Sequence, residues 1–255
     1  MLGKLLKYDL KKLLKFICIF YIITLIIGIL TRLFINTDSP FVMYLIGKIL
    51  SGTLISMFAS ILINCLMGLW IRSFAHGVYK DESYLTHTLP VTKTQIYVSK
   101  FLTAVITAFL SLTVIVGAAF IAYYTSERWL MVKQMFFAGS AWRFTVLVLI
   151  IFFLEFVNLI QCGYTGIILG HKMNTGKVGF SVLFAFLVDT VSQLIILAFS
   201  AAAALVNVDF KELFVSQNVK VAQDVLLWLI PIYLLVIAAD AIINIKLLNK
   251  GVNID

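Results

Sequence analysis

The sequence predicts an all-α, polytopic membrane protein of six transmembrane helices with both termini on the cytoplasmic side. Three observations carry this reading. Of the 255 residues, 62% are hydrophobic and 13% charged, about half the charged share of ordinary soluble domains. Uncharged apolar runs recur along the chain, each near the roughly 20 residues a helix needs to cross hydrocarbon while bonding its own backbone. Lysine and arginine gather in alternate connections, the asymmetry by which membrane proteins are oriented.

Residues 1–15 read as an amphipathic helix. At 100° per residue Leu2, Leu5, Leu6, Leu10, Leu13 and Leu14 share one face, and Lys4, Lys7, Lys11, Lys12 and Lys15 the other, which predicts a helix lying in the membrane surface with its lysines at anionic headgroups. The first span follows from about Phe16 to Phe34. A basic start before an apolar run can mark a signal peptide, but no small-x-small cleavage site follows, so the span is expected to be retained. After the turn INTDSP the second span covers about Ile49 to Ile71, and beyond a polar segment of nearly thirty residues the third covers about Phe101 to Tyr124. The fourth, about Phe144 to Gly170, comes after a loop with Glu127, Arg128 and Lys133. A tight HKMNTGK turn leads to the fifth, about Val178 to Val206; the sixth, about Val225 to Ile245, is bent or loosened at Pro231 and ends in the basic tail Lys246 to Lys250.

Thirteen Lys and Arg fall at the N-terminus, the 2–3 connection, the 171–177 turn and the C-terminus, against seven in the alternate set. Both termini are therefore placed inside. The net charge of +8 follows from that topology, and no nucleic-acid partner is implied. Residues 1–255 read as a single membrane domain without internal repeat or low-complexity tract. Cys18, Cys65 and Cys162 all lie in apolar runs without metal-ligand spacing, so they read as small buried hydrophobes.

The most informative stretch is the 2–3 connection, YKDESYLTHTLPVTKTQIYVSKF over residues 79–101. Asp81 can cap a short helix carrying Glu82, Tyr84, Leu85 and Leu89; Pro90 stops it, and Thr92 with Gln95 makes a capping-box start for the helix entering span three. Such a helix, turn and helix presents a rigid knob to the cytoplasm. It serves either as a surface-lying connector or as a docking element for a soluble partner, and the docking reading gives Tyr84, Leu85 and Leu89 a burial site. The docking face comprises Lys80, Asp81, Glu82, Tyr84, Leu85, His87, Leu89 and Pro90.

A basic surface helix, six spans and a cytoplasmic helix ending in Leu89-Pro90-Val91-Thr92 and continuing to Ser99-Lys100 resembles, over essentially the whole chain, the permease subunits of type-2 ATP-binding-cassette exporters. Within them it looks most like permeases of small Gram-positive exporters for amphipathic peptides, such as phenol-soluble modulins; Tyr84, His87, Leu89, Pro90 and Lys100 carry the local likeness. The resemblance implies a bacterial plasma-membrane permease, working as a dimer with a second permease copy. Residues 80–90 would form the coupling helix seated on a separate ATPase subunit, which binds the ATP and Mg²⁺, and the 171–177 turn would be a secondary contact. The implied substrate is a hydrophobic or amphipathic peptide exported from the cell.

The chain itself has no G-x-x-x-x-G-K-[ST] loop, no H-E-x-x-H and no compact Ser, His, Asp set, so no enzyme, cofactor or metal site is read from it. Energy must come from another chain or from an ion gradient. Three acids inside predicted spans, Glu155, Asp189 and Asp240, bear on the second route, because a carboxylate in hydrocarbon costs on the order of 3 kcal/mol. Glu155 shares a helix face with Asn158 and Cys162, and Asp189 with Ser192 and Gln193; Asp240 lies close enough to the span's cytoplasmic end to reach the interface. Structural packing, a substrate path and a proton relay are all open to them. Two small-residue stripes at i, i+4 spacing, Gly52, Ser56, Ser60, Asn64 and Gly68 in span two and Ser181, Ala185, Asp189 and Gln193 in span five, read as packing faces. The resemblance puts both beside the dimer interface and substrate path. His76, His87 and His171 fall in cytoplasmic loops, none spaced like a metal ligand. The rival functions are a proton-coupled secondary transporter and a non-transporting scaffold or sensor that recruits a cytoplasmic partner.

Overall fold

The computed structural model describes residues 2–35, 41–79, 90–124, 130, 133–134, 140–206 and 219–250. All regular structure among them is helical: α1 (Leu2–Ile35), α2 (Phe41–Met67), a π-helical stretch Gly68–Ala75, α3 (His76–Val78), α4 (Lys93–Tyr123), α5 (Ser140–Gly170), α6 (Lys177–Val206) and α7 (Val219–Asn249). Six helical segments, Leu2–Ile35, Met43–Val78, Lys93–Tyr123, Trp142–Gly170, Lys177–Ala202 and Lys220–Asn249, are long and apolar enough to cross a membrane. The chain is a multi-pass membrane protein by that pattern.

Most helices overrun the spans read from hydropathy. The end of the apolar run does not end a helix; a breaker does. Thus α4 begins at Lys93, behind Pro90, and α6 begins behind Gly176, whose φ of +65° suits a residue without Cβ. Pro231 lies inside α7, which stays helical on both sides of it, although the Leu227 carbonyl loses its helical donor there.

The N-terminus departs furthest from expectation. Residues 1–15 were set apart as a surface helix, whereas α1 is one unbroken helix of 34 residues, about 51 Å at 1.5 Å per residue. No glycine or proline lies between Gly3 and Gly28 to break the helix at the Lys15–Phe16 junction, and the inward stripe Asp9, Leu13, Ile17, Tyr21, Thr24, Gly28 and Thr31 runs through it at helical spacing. Cys18 is exposed, unlike Cys65 and Cys162, which are buried as expected.

The chain divides into two compact units, Met1–Ser73 with Ser99–Leu130, and Phe74–Val98 with Met131–Asp255. In the first, Asp9 meets Lys100, Tyr21 meets Ser111 and Gly28 approaches Ala118. The near-constant offset makes α1 and α4 parallel. Gly68 faces Leu13 and Gly47 faces Phe34, so α2 runs antiparallel to α1. Leu54, Ala118 and Ala122 form the apolar centre, with Leu25, Ile27 and Phe58 against it. In the second unit Gly166 meets Ala185 and Gly170 meets Ser181, an antiparallel α5–α6 pair. Alternating direction along the chain is what successive membrane crossings require.

Thr24, Thr31, Thr103 and Thr107 donate to carbonyls one turn back, at 2.7–2.9 Å. Each hydroxyl is thereby satisfied within its own helix.

Candidate functional site

Two groups of polar side chains stand out, one at the ends of the helices that flank residues 80–89 and one inside the spans of the second unit.

Of the expected docking face, Lys80, Asp81, Glu82, Tyr84, Leu85, His87 and Leu89 lie outside the described residues, while Pro90 is exposed at a bend. What holds both flanks is clear. On the near side Tyr79, 2% exposed, stacks on His171 with ring centroids 4.1 Å apart. His171 Nδ1 lies 2.9 Å from the Ile167 carbonyl, so the turn after α5 grips the end of the segment leaving α3. Burial raises the Tyr79 phenol pKa above its usual value and keeps it neutral. His171 is thus a buried packing residue rather than a solvated loop histidine.

On the far side the capping box is formed as its spacing predicts: Gln95 N–H donates to Thr92 Oγ1 and Thr92 N–H to Gln95 Oε1, both at 3.2 Å. Lys93 Nζ donates to the Leu248 carbonyl at 3.4 Å, tying the start of α4 to the last turn of α7. In the first unit Lys100 Nζ lies 2.6 Å from Asp9 Oδ1, Ser99 donates to Asp9 Oδ2 at 3.1 Å, and the ion pair is almost wholly buried. Hydropathy gave Lys100 a place in a solvated loop and left Asp9 unremarked. The one signal was an acid interrupting an otherwise basic and leucine-rich run.

Between Gly68 and Ala75 the helix widens to π geometry, a departure common near functional sites. Arg72 stacks over Phe16 at 4.9 Å, and Phe74 stacks on Tyr164 at 4.2 Å.

Inside the second unit Tyr97 donates to Gln161 Oε1. Asn244 Nδ2 reaches Gln161 Oε1 at 3.2 Å and the Tyr97 hydroxyl at 3.3 Å. All three are buried, and none was singled out from sequence. Further along α5, Gln193 Nε2 donates to Glu155 Oε1 at 2.5 Å, a bond between neighbouring helices of the kind their faces suggest. Asp189 stands one turn from Gln193, and its Oδ1 has no partner among the described residues. Asn158, fully buried on the Glu155 face, has neither amide atom paired among them.

Asp240 is buried, with only 8% of it exposed, and α7 runs on past it to Asn249.

The two small-residue stripes fare differently. Ser181 and Ala185 pack on α5, where a Cβ added to Gly166 or Gly170 would stand 2.5 Å from backbone nitrogens of α6. In span two Ser56 is exposed and donates to the Gly52 carbonyl at 3.1 Å; Asn64 bonds the Ser60 carbonyl and hydroxyl at 2.8 and 3.2 Å. A Cβ at Gly52 would meet nothing within 4 Å. Among the described residues nothing packs closely on Gly52 in the stripe's N-terminal part, whereas Gly68 is closely covered by Leu13.

The class of protein these features define is a multi-pass helical membrane protein with buried polar contacts between its helices. Comparison with known proteins matches no family model, no curated protein and no solved structure.

Proposed function

We propose that this chain is the permease subunit of an ATP-binding-cassette exporter in a bacterial plasma membrane. In that role a dimer of permeases moves hydrophobic or amphipathic peptides outward, using ATP and Mg²⁺ bound by a separate ATPase subunit docked on residues 80–90. The observation that carries the reading is the way the flanks of that segment are tied to the spans. Tyr79 leads to α5 through His171, Lys93 to α7 through Leu248, and Lys100 to α1 through Asp9. A push on the segment from a soluble subunit has a direct route into three further helices, and two-state movement of packed helices is how such a push becomes transport. The stripe of exposed Gly52 and Ser56 and half-buried Ser60 and Asn64 suits a second permease copy or a substrate's polar face.

The test is reconstitution with a candidate ATPase subunit. ATP hydrolysis should rise when an amphipathic helical peptide is added, and Leu85→Arg should abolish docking while leaving the permease folded. Transport driven by a proton gradient without ATP would replace this reading with the secondary-transporter one, for which the partly unpaired Glu155, Asp189 and Asp240 speak. Recruitment of a soluble protein with no substrate-dependent hydrolysis would favour the scaffold.

A further inference from the structure

Helices α6 and α7 both pack on α5 but leave a cleft of about 540 Å³ between them, within the range of small-molecule sites. Leu187 and Val191 on α6 and Leu235 and Ile243 on α7 line it and are each about half exposed or more, so the cleft opens on an apolar face of the spans. Deeper in the same wall lie Ser192, 3% exposed, and Asp240, 8% exposed, whose Oδ2 has no hydrogen-bond partner among the described residues.

We propose that this cleft binds a lipophilic organic cation, its apolar body against α6 and α7 and its charge paired with Asp240. The occupant follows from charge. Among the described residues no lysine or arginine lines the cleft, and the apolar stretches 16–31, 49–71, 101–123, 144–170, 178–206 and 225–245 contain none. Lys246, next in sequence to the lining residue Leu247, is itself not part of the lining, so the described wall offers Asp240 no positive side chain. A lipid tail would fill the volume but bring no counter-charge to the buried carboxylate, and an ionised carboxylate without one in a low-dielectric wall is costly. A monovalent cation with a large apolar body satisfies volume, polarity and charge together.

The inference needs neither ATP nor an ATPase subunit, so its failure leaves the exporter reading standing. The test is equilibrium binding of radiolabelled tetraphenylphosphonium to the full chain in phosphatidylcholine nanodiscs, with empty discs as background. Saturable binding is expected. Asp240→Asn should weaken it by at least about tenfold, the scale of a charge-assisted contact. Val191→Trp, which fills the exposed rim and keeps the carboxylate, should weaken it likewise and decides the matter if Asp240→Asn fails to fold. A neutral tetraphenyl analogue should not compete. No saturable binding above empty discs, unchanged affinity in a folded Asp240→Asn or in Val191→Trp, or equal competition by the neutral analogue would each overturn the proposal, the last by making the cleft a simple lipid groove.

Discussion

At the scale of single residues, the buried pair of Asp9 and Lys100 has the largest expected consequence. Removing one partner strands the other charge in a buried site, so Asp9→Leu or Lys100→Met should cost about 3–5 kcal/mol. The double variant Asp9→Leu with Lys100→Met should recover much of that loss, because two well-packed apolar groups are cheaper to bury than one unpaired charge. Thermal unfolding of the four proteins in one detergent measures the cycle. The glycines offer a sharper steric contrast. Gly166→Ala would drive a methyl into the α6 backbone at Ala185 and should lower stability by about 1–3 kcal/mol. Gly52→Ala, with open space around it, should leave the melting temperature unchanged. Both glycines stand in apolar runs, and sequence spacing alone cannot rank them.

At the scale of elements, the capping box was legible down to its two hydrogen bonds, because Thr92 and Gln95 act within one turn of backbone. Thr92→Ala should destabilise the start of α4 by about 1 kcal/mol, read by hydrogen exchange of the amides just after it. The continuity of α1 was not legible in the same way. Amphipathic and apolar segments differ in the solvent they prefer, but nothing in their composition breaks the backbone between them. Stripe assignment divides similarly. The span-five stripe packs on α5 as its spacing suggests, while the span-two stripe from Gly52 to Asn64 bonds only along its own helix. Asn64→Leu should therefore leave the fold intact. If that stripe serves the substrate, as the proposed function requires, the same variant should reduce peptide export in vesicles; unchanged export would remove the stripe from the path.

At the scale of the whole molecule, the directions of α1, α2 and α4 in the first unit and of α5 and α6 in the second each alternate along the chain as successive membrane crossings require. Cysteines introduced at Ser83 and Thr37, in a background lacking Cys18, Cys65 and Cys162, should react with an impermeant maleimide from opposite sides, Ser83→Cys from the cytoplasm. Labelling of both from one side would undo the topology, and labelling of Ser83→Cys from outside would remove the docking reading with it.

Taken alone, the sequence determined the helical class, the number of long apolar helices, the stop at Pro90, the turn at 171–177 and the cap at Thr92. Each of these depends on residues within a few turns of one another. The tertiary structure decided who meets whom across long stretches of chain: Asp9 with Lys100 and Tyr79 with His171 across about ninety residues, Tyr97 with Gln161 across 64 and with Asn244 across 147. It also decided that Glu155 has a partner while Asp240 borders a cleft. Hydropathy and periodicity show that a face will be buried, but the identity of the neighbour depends on how each helix is rotated and which helix stands beside it, and both are properties of the packed bundle.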